Sequence, residues 1–144
     1  VIGAEGPDGA RPLPHSLAKS ADDGLPDPEL EAALYAWATA EGDTAAHQRA
    51  VVEAFRKARV YVPAVAPEPD KLGMIALRRE DGMTAVAAFT GIDRLVAWRP
   101  DARPLPHVGA VVASMAADEG HLVCMLDIDG PITATLPIAN LLDD

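Results

Sequence analysis

Aromatic side chains make up only 4% of this chain, basic residues are outnumbered 22 to 12 by acidic ones, and a single cysteine stands at position 124. Each shortage excludes something. With few aromatics, the core must be assembled from Ala, Val and Leu, which lets helices and sheet approach closely but supplies little apolar area per residue. One thiol cannot close an internal disulfide. Cys124 lies among Leu122, Val123, Met125 and Leu126, a setting for a buried structural thiol rather than an activated nucleophile. The net charge of -10 repels phosphate backbones and anionic headgroups, so neither nucleic acid nor membrane is expected as a partner. No apolar run reaches the roughly 18 residues of a membrane span, and no basic region leads into an apolar run as in a signal peptide. A cytoplasmic protein is the expectation.

Motifs of catalysis are also missing. His15, His47, His107 and His121 have neither metal-ligand spacing nor a cysteine partner. The sequence contains no Gly-rich phosphate loop and no Gly-x-Ser-x-Gly elbow. No cofactor, metal site or catalytic residue is expected.

What is present is pattern. A length of 144 residues with 49% hydrophobic composition suits one domain. Residues 1–27 are rich in Pro, Gly and Asp, with too few large apolar groups to offset their ordering entropy, and read as a flexible tail. The folded domain is expected over 28–144. Asp27-Pro28-Glu29 gives an N-cap and a proline at the first helical position, and Leu30, Ala33, Leu34, Trp37 and Ala38 form one apolar stripe. Glu41-Gly42 closes this helix. Asp43 caps a second one through Lys57, with Ala50, Val51, Ala54, Phe55 and Ala58 inward.

The period then changes. Val60-Tyr61-Val62 predicts a strand, with Pro63 at its end or on a sheet edge and a loop over Ala64 to Asp70. Leu72 to Arg79 and Met83 to Thr90 are predicted strands of a hairpin turning at Asp81-Gly82. Thr90 and Asp93 fit a capping box for a short helix ending before Pro100. Val108 to Glu119 predicts a helix carrying Val111, Val112 and Met115 and stopped by Gly120. His121 to Ile128 reads as a strand covered on both faces. A second Asp-Gly turn leads to Ile132–Leu136, and Pro137 starts a last helical turn holding Ile138, Leu141 and Leu142. The order α-α-β-β-β-α-α-β-β-α means α+β: a mixed or antiparallel sheet of about five strands, built from hairpins, with helices packed on it.

Two stretches carry chemistry. Leu126-Asp127-Ile128-Asp129-Gly130-Pro131 resembles the first motif of the haloacid dehalogenase phosphatases, which would make Asp127 and Asp129 an Mg-dependent phosphohydrolase pair. The remaining residues supply no lysine, and a plain hairpin turn explains both Asp-Gly pairs. The segment Phe89 to His107 gathers Arg94, Arg99 and Arg103 with Trp98 and His107 in an otherwise negative chain. An arginine fork can grip an anion and Trp98 can stack. The plainer reading is a tryptophan anchoring a short helix, with arginines lying over it.

The segment from Ala54-Phe55 through Ala58-Arg59-Val60-Tyr61-Val62-Pro63, then Ala88-Phe89-Thr90, Trp98-Arg99-Pro100 and the strand and turn from Leu126-Asp127 to Gly130-Pro131 resembles the SseB N-terminal-domain family, the enhanced serine sensitivity proteins, in particular actinobacterial members. The resemblance spans Leu30 to about Leu142 and implies a small α+β domain of unsettled molecular role. Longer members carry a further C-terminal domain that this chain is too short to include. A non-enzymatic module that binds another protein or regulates it is therefore the leading expectation. Small-anion or metabolite sensing through the arginine–tryptophan segment is the alternative, phosphohydrolysis a remote one, and a homodimer through an edge strand is compatible with either.

Overall fold

Asp27 opens the first helix by accepting the N–H groups of Glu29 and Leu30 at 2.9 and 3.1 Å, with Pro28 preset at the first helical position. The computed structural model describes residues 23–68, 71–78 and 80–142, and α1 covers Pro28–Thr39. Its apolar stripe buries Leu30 and Leu34 and half-buries Ala33 and Trp37. α2 (Ala45–Lys57) turns Val51, Ala54 and Phe55 inward, whereas Ala50 is exposed. Asp43 accepts the Ala45 N–H at 3.0 Å, although the cap position itself falls on Thr44.

The chain continues as β1 (Arg59–Glu68), β2 (Lys71–Met74), β3 (Ala76–Arg78), β4 (Thr84–Ala88), α3 (Ile92–Trp98), β5 (Arg103–Val108), α4 (Gly109–Asp118), β6 (Val123–Leu126), β7 (Ala134–Pro137) and α5 (Ile138–Leu141). The described residues thus form a mixed α+β fold with five helices and seven strands. Two sheets, β2-β1-β5 and β3-β4-β6-β7, meet where Tyr61 and Phe89 exchange two backbone hydrogen bonds of 2.8 Å. β4 and β6 are parallel, with Ala88 beside Leu126; the other pairs are antiparallel.

The two strands beyond the expected five are β5, where no strand was foreseen, and the extra piece made when the strand expected over Leu72–Arg79 divides into β2 and β3. β1 runs on through Pro63 to Glu68, over part of the expected loop, and β5 occupies the end of the arginine–tryptophan segment. Pro63 is not at an edge, because β1 lies between β2 and β5. Pro63 faces Pro104 and Tyr61 faces Pro106. Two prolines cannot exchange N–H bonds, so these are the non-bonded positions of the antiparallel ladder. At them the backbone of β5 turns its edge outward, where a missing N–H breaks nothing. The strand expected over Leu72–Arg79 is also divided. Ile75 donates to the Pro63 carbonyl at 3.0 Å on the first sheet, while Ala76 already pairs with Val86 on the second.

Alternation along β1 and β4 builds a core on each face. Val60, Val62, Val86 and Ala88 join Leu34, Phe55, Val112, Cys124, Leu126 and Leu136 beneath α1, α2, α4 and α5. Tyr61, Ala87 and Phe89 join Leu95 and Ala102 beneath α3, with Trp98 packed against them. The Trp98 ring lies 5.3 Å from that of Phe89, tilted by 36°. β6 departs from the expectation of cover on both faces. Cys124 and Leu126 are buried but Val123 and Met125 only half so. α4 starts at a close approach. A Cβ on Gly109 would lie 1.8 Å from the Phe55 carbonyl oxygen, so only glycine allows α4 to meet the last turn of α2.

Of the tail expected over 1–27, residues 1–22 lie outside the described residues. Asp23 to Pro26 are fastened to the domain. The Gly24 carbonyl accepts from Ile92 N–H at 2.9 Å, and the Leu25 carbonyl from Arg59 Nη2 at 2.8 Å.

Candidate functional site

The parallel pair β4–β6 ends in two polar residues, Thr90 and Asp127, and carboxyl ends of parallel strands are where α/β sheets place their sites. The Asp127 N–H donates to the Ala88 carbonyl at 2.9 Å, which carries the pairing one step beyond Leu126. Asp127 then takes φ 57°, a left-handed conformation that aspartate tolerates better than most residues. This turns its carboxylate back into the protein, where it is 1% exposed.

There it is fully met. Oδ1 accepts the Thr90 N–H at 2.7 Å; Oδ2 accepts the Thr90 hydroxyl at 2.8 Å and Arg94 Nη1 at 2.9 Å. Arg94 Nη1 also donates to Thr90 Oγ1 at 2.6 Å, and Nη2 reaches Glu31 on α1 at 2.9 Å. Burial alone would lower the Arg94 pKa; the hydrogen bond it donates to Glu31 and the charge of Asp127 outweigh it and raise the value. The capping box expected of Thr90 and Asp93 is consequently absent. Gly91 takes the cap position, because the Thr90 side chain is held by Asp127. A cap contributes roughly 1 kcal/mol, less than leaving a buried carboxylate unmet.

Two cavities flank Arg94 and Pro131. The larger, about 470 Å³, is bounded by α1 through Pro28, Glu31 and Tyr35, and by Asp127 and Ile132. The smaller, about 250 Å³, is bounded by Trp98, Asp93, Ile128 and Asp129. Asp127 and Asp129 therefore face different cavities, and they do not converge on one cation as the phosphohydrolase reading requires. Among the described residues no group of three or more His, Cys, Asp or Glu is placed to hold a metal ion.

The five residues singled out in the sequence separate. Arg94 and Trp98 share the smaller cavity. Arg99 forms an exposed ion pair with Asp101 at 3.1 Å, while Arg103 and His107 lie along β5, opposite Ala64 and Val60. Glu31, Thr90 and Asp127 complete the network around Arg94. The only local signal for it was Thr90 four residues before Arg94, since Asp127 and Glu31 lie 33 and 63 residues away.

Cys124 is fully buried under the helices, and burial, followed by the nearby charge of Asp127, pushes its pKa up to about 12. An aromatic disulfide reagent should therefore leave the native thiol unmodified at pH 8 and titrate it only on unfolding. The sign follows from linkage. As pH rises through the ordinary thiol value of 9.0, the unfolded chain loses this proton while the folded chain keeps it until about 12. Stability thus falls across that window, with a slope of about 1.4 kcal/mol per pH unit. In urea titrations at pH 8 and pH 10, wild type should lose more stability than Cys124→Ala; equal losses would mean the thiol is not buried as described.

A family model described as the SseB protein N-terminal domain matches residues 30–141. No curated protein and no solved structure matches the chain. Among the described residues no helix is long and apolar enough to cross a membrane.

Proposed function

Since the chain belongs to the SseB protein N-terminal domain family, we propose that this domain works by binding another protein and not by transforming a substrate. One observation carries the reading: among the described residues, the most reactive-looking constellation is closed upon itself. The Asp127 carboxylate, at the carboxyl end of the parallel pair, is 1% exposed and accepts three hydrogen bonds from Thr90 and Arg94. Arg94, the cation beside it, is in turn shared between two carboxylates. Groups so engaged fix the relative positions of β4, β6, α3 and α1, and the buried Asp127 carboxylate is not presented as a nucleophile or a base.

The tagged chain at its native level should recover a partner from its own lysate at low salt. That partner, identified by mass spectrometry and purified, should re-form a complex of fixed stoichiometry with the isolated domain. Recovery of the domain alone, or a recovered protein that fails to rebind when pure, would remove the reading.

A further inference from the structure

The larger cavity does not end at Tyr35. A second hollow of about 390 Å³ continues from it, sharing Leu34 and Ile132, and runs between Trp37 and Ala38 on α1 and Thr133 to Thr135. Together they make one groove, with α1 as one wall and the approach to β7 as the other. Tyr35 stands in it 65% exposed. β7 is the last strand of its sheet. Because Ile138 donates to the Leu122 carbonyl at 2.9 Å, alternation along the β6–β7 ladder turns the backbone N–H and C=O of Thr135 away from β6.

The charges around the groove are one-sided. Neither lysine nor arginine occurs between residues 20 and 48 or after Arg103, so both walls lack a cation of their own. Arg94, which borders the floor, is held by Asp127 and Glu31, two negative charges against one. Glu29 and Glu31 project from the first turn of α1, and Asp129 lies in the turn beyond the floor.

Resting on the binding role proposed above, we infer that this groove receives an extended segment of a partner protein in which apolar residues alternate with lysine or arginine. Its backbone pairs with the edge at Thr135, alternate apolar side chains enter beside Leu34, Tyr35 and Ile132, and its cations face the acidic walls. A second copy of this chain does not fit that description. Each copy carries a net charge of -10, and its own stretches without lysine or arginine would meet walls of the same kind. An anionic vesicle is repelled for the same reason.

The test is a selection from a display library of random dodecapeptides on the intact chain, followed by fluorescence anisotropy with the most enriched peptide. Ala38→Arg, at an exposed position of the groove wall, adds bulk and positive charge where the segment would lie. Val111→Arg makes the same charge change on the exposed face of α4. The enriched peptides should alternate apolar with basic residues and bind more weakly as salt is raised. Affinity should fall at least tenfold in Ala38→Arg and stay unchanged in Val111→Arg, with both variants melting near wild type. Acidic or uncharged winners, no winners, or equal losses in the two variants would each overturn the groove. A native partner that binds Ala38→Arg as well as wild type would also overturn it while leaving the binding role intact; absence of any native partner removes the binding role itself.

Discussion

Gly109→Ala should lower the melting temperature by about 10 °C or more, and it should do so without altering any charged or polar side chain. The added methyl would sit 1.8 Å from the Phe55 carbonyl oxygen, 2.7 Å from its carbon and 2.8 Å from Cδ1 of the same ring. Two of these atoms are backbone, so no rotamer change relieves the contact. α4 must move away from α2, and Gly109 N–H must loosen its 2.9 Å bond to the Ala58 carbonyl. Overpacking of this kind costs about 3 kcal/mol, and in a domain of this size each kcal/mol is worth roughly 4 °C. Gly42 and Gly120 have positive φ but open space around the added carbon, so alanine there strains only the backbone. A shift at Gly109 no larger than at those two positions would show that the helices can slide apart freely.

The second large effect concerns Asp127. Asp127→Asn preserves shape and tolerates the left-handed backbone, yet it removes the charge that faces Arg94 and places an N–H₂ group where an acceptor is required. Breaking one side of a buried ion pair costs about 3–5 kcal/mol. Arg94→Met, which keeps the apolar stem, should cost a similar amount by leaving the carboxylate with Thr90 alone. The double variant should then lose at least about 1 kcal/mol less than the sum of the two, since the second change removes a partner already lost. Urea titrations of the four proteins measure this directly. Additive losses would mean that the two residues are not coupled and that Thr90 suffices to hold the carboxylate.

Local chemistry made much of this fold readable before any coordinates. Asp27 and Pro28 announce α1, the spacing of Val51, Ala54 and Phe55 announces α2, and Asp81-Gly82 announces the β3–β4 turn, where Gly82 has φ 87° and Met83 N–H donates to Asp81 at 3.0 Å. Proline misled the reading over 64–68, and no strand was foreseen over 103–108. The penalty for proline in a strand depends on which way its missing N–H would point, and that depends on register, which composition does not carry. Pro104 and Pro106, two apart, fall on the one side of β5 where nothing is asked of them.

The site was less legible for a different reason. Arg94 and Trp98 stood out as a cation and an aromatic in an acidic chain, but what Arg94 does is decided by Asp127 and Glu31. Only the parallel pairing of β4 with β6 and the lean of α1 bring those two near. Asp127 itself lay inside an Asp-x-Asp-Gly string whose turn signal is real: Gly130 N–H bonds the Asp127 carbonyl at 2.9 Å. The same residue shapes the turn with its backbone and locks the interior with its side chain, and a turn motif reports only the first.

The pyrrolidine rings of β5 have an effect that reaches beyond the single molecule. Half of this chain is apolar, and a sheet border with free donors is a template on which misfolded copies stack into cross-β fibrils. Along the outer side of β5 the donors at 104 and 106 do not exist, so no incoming strand can complete a ladder there. The stretch that looks least like a strand in the sequence thus protects the folded protein from polymerising along that border.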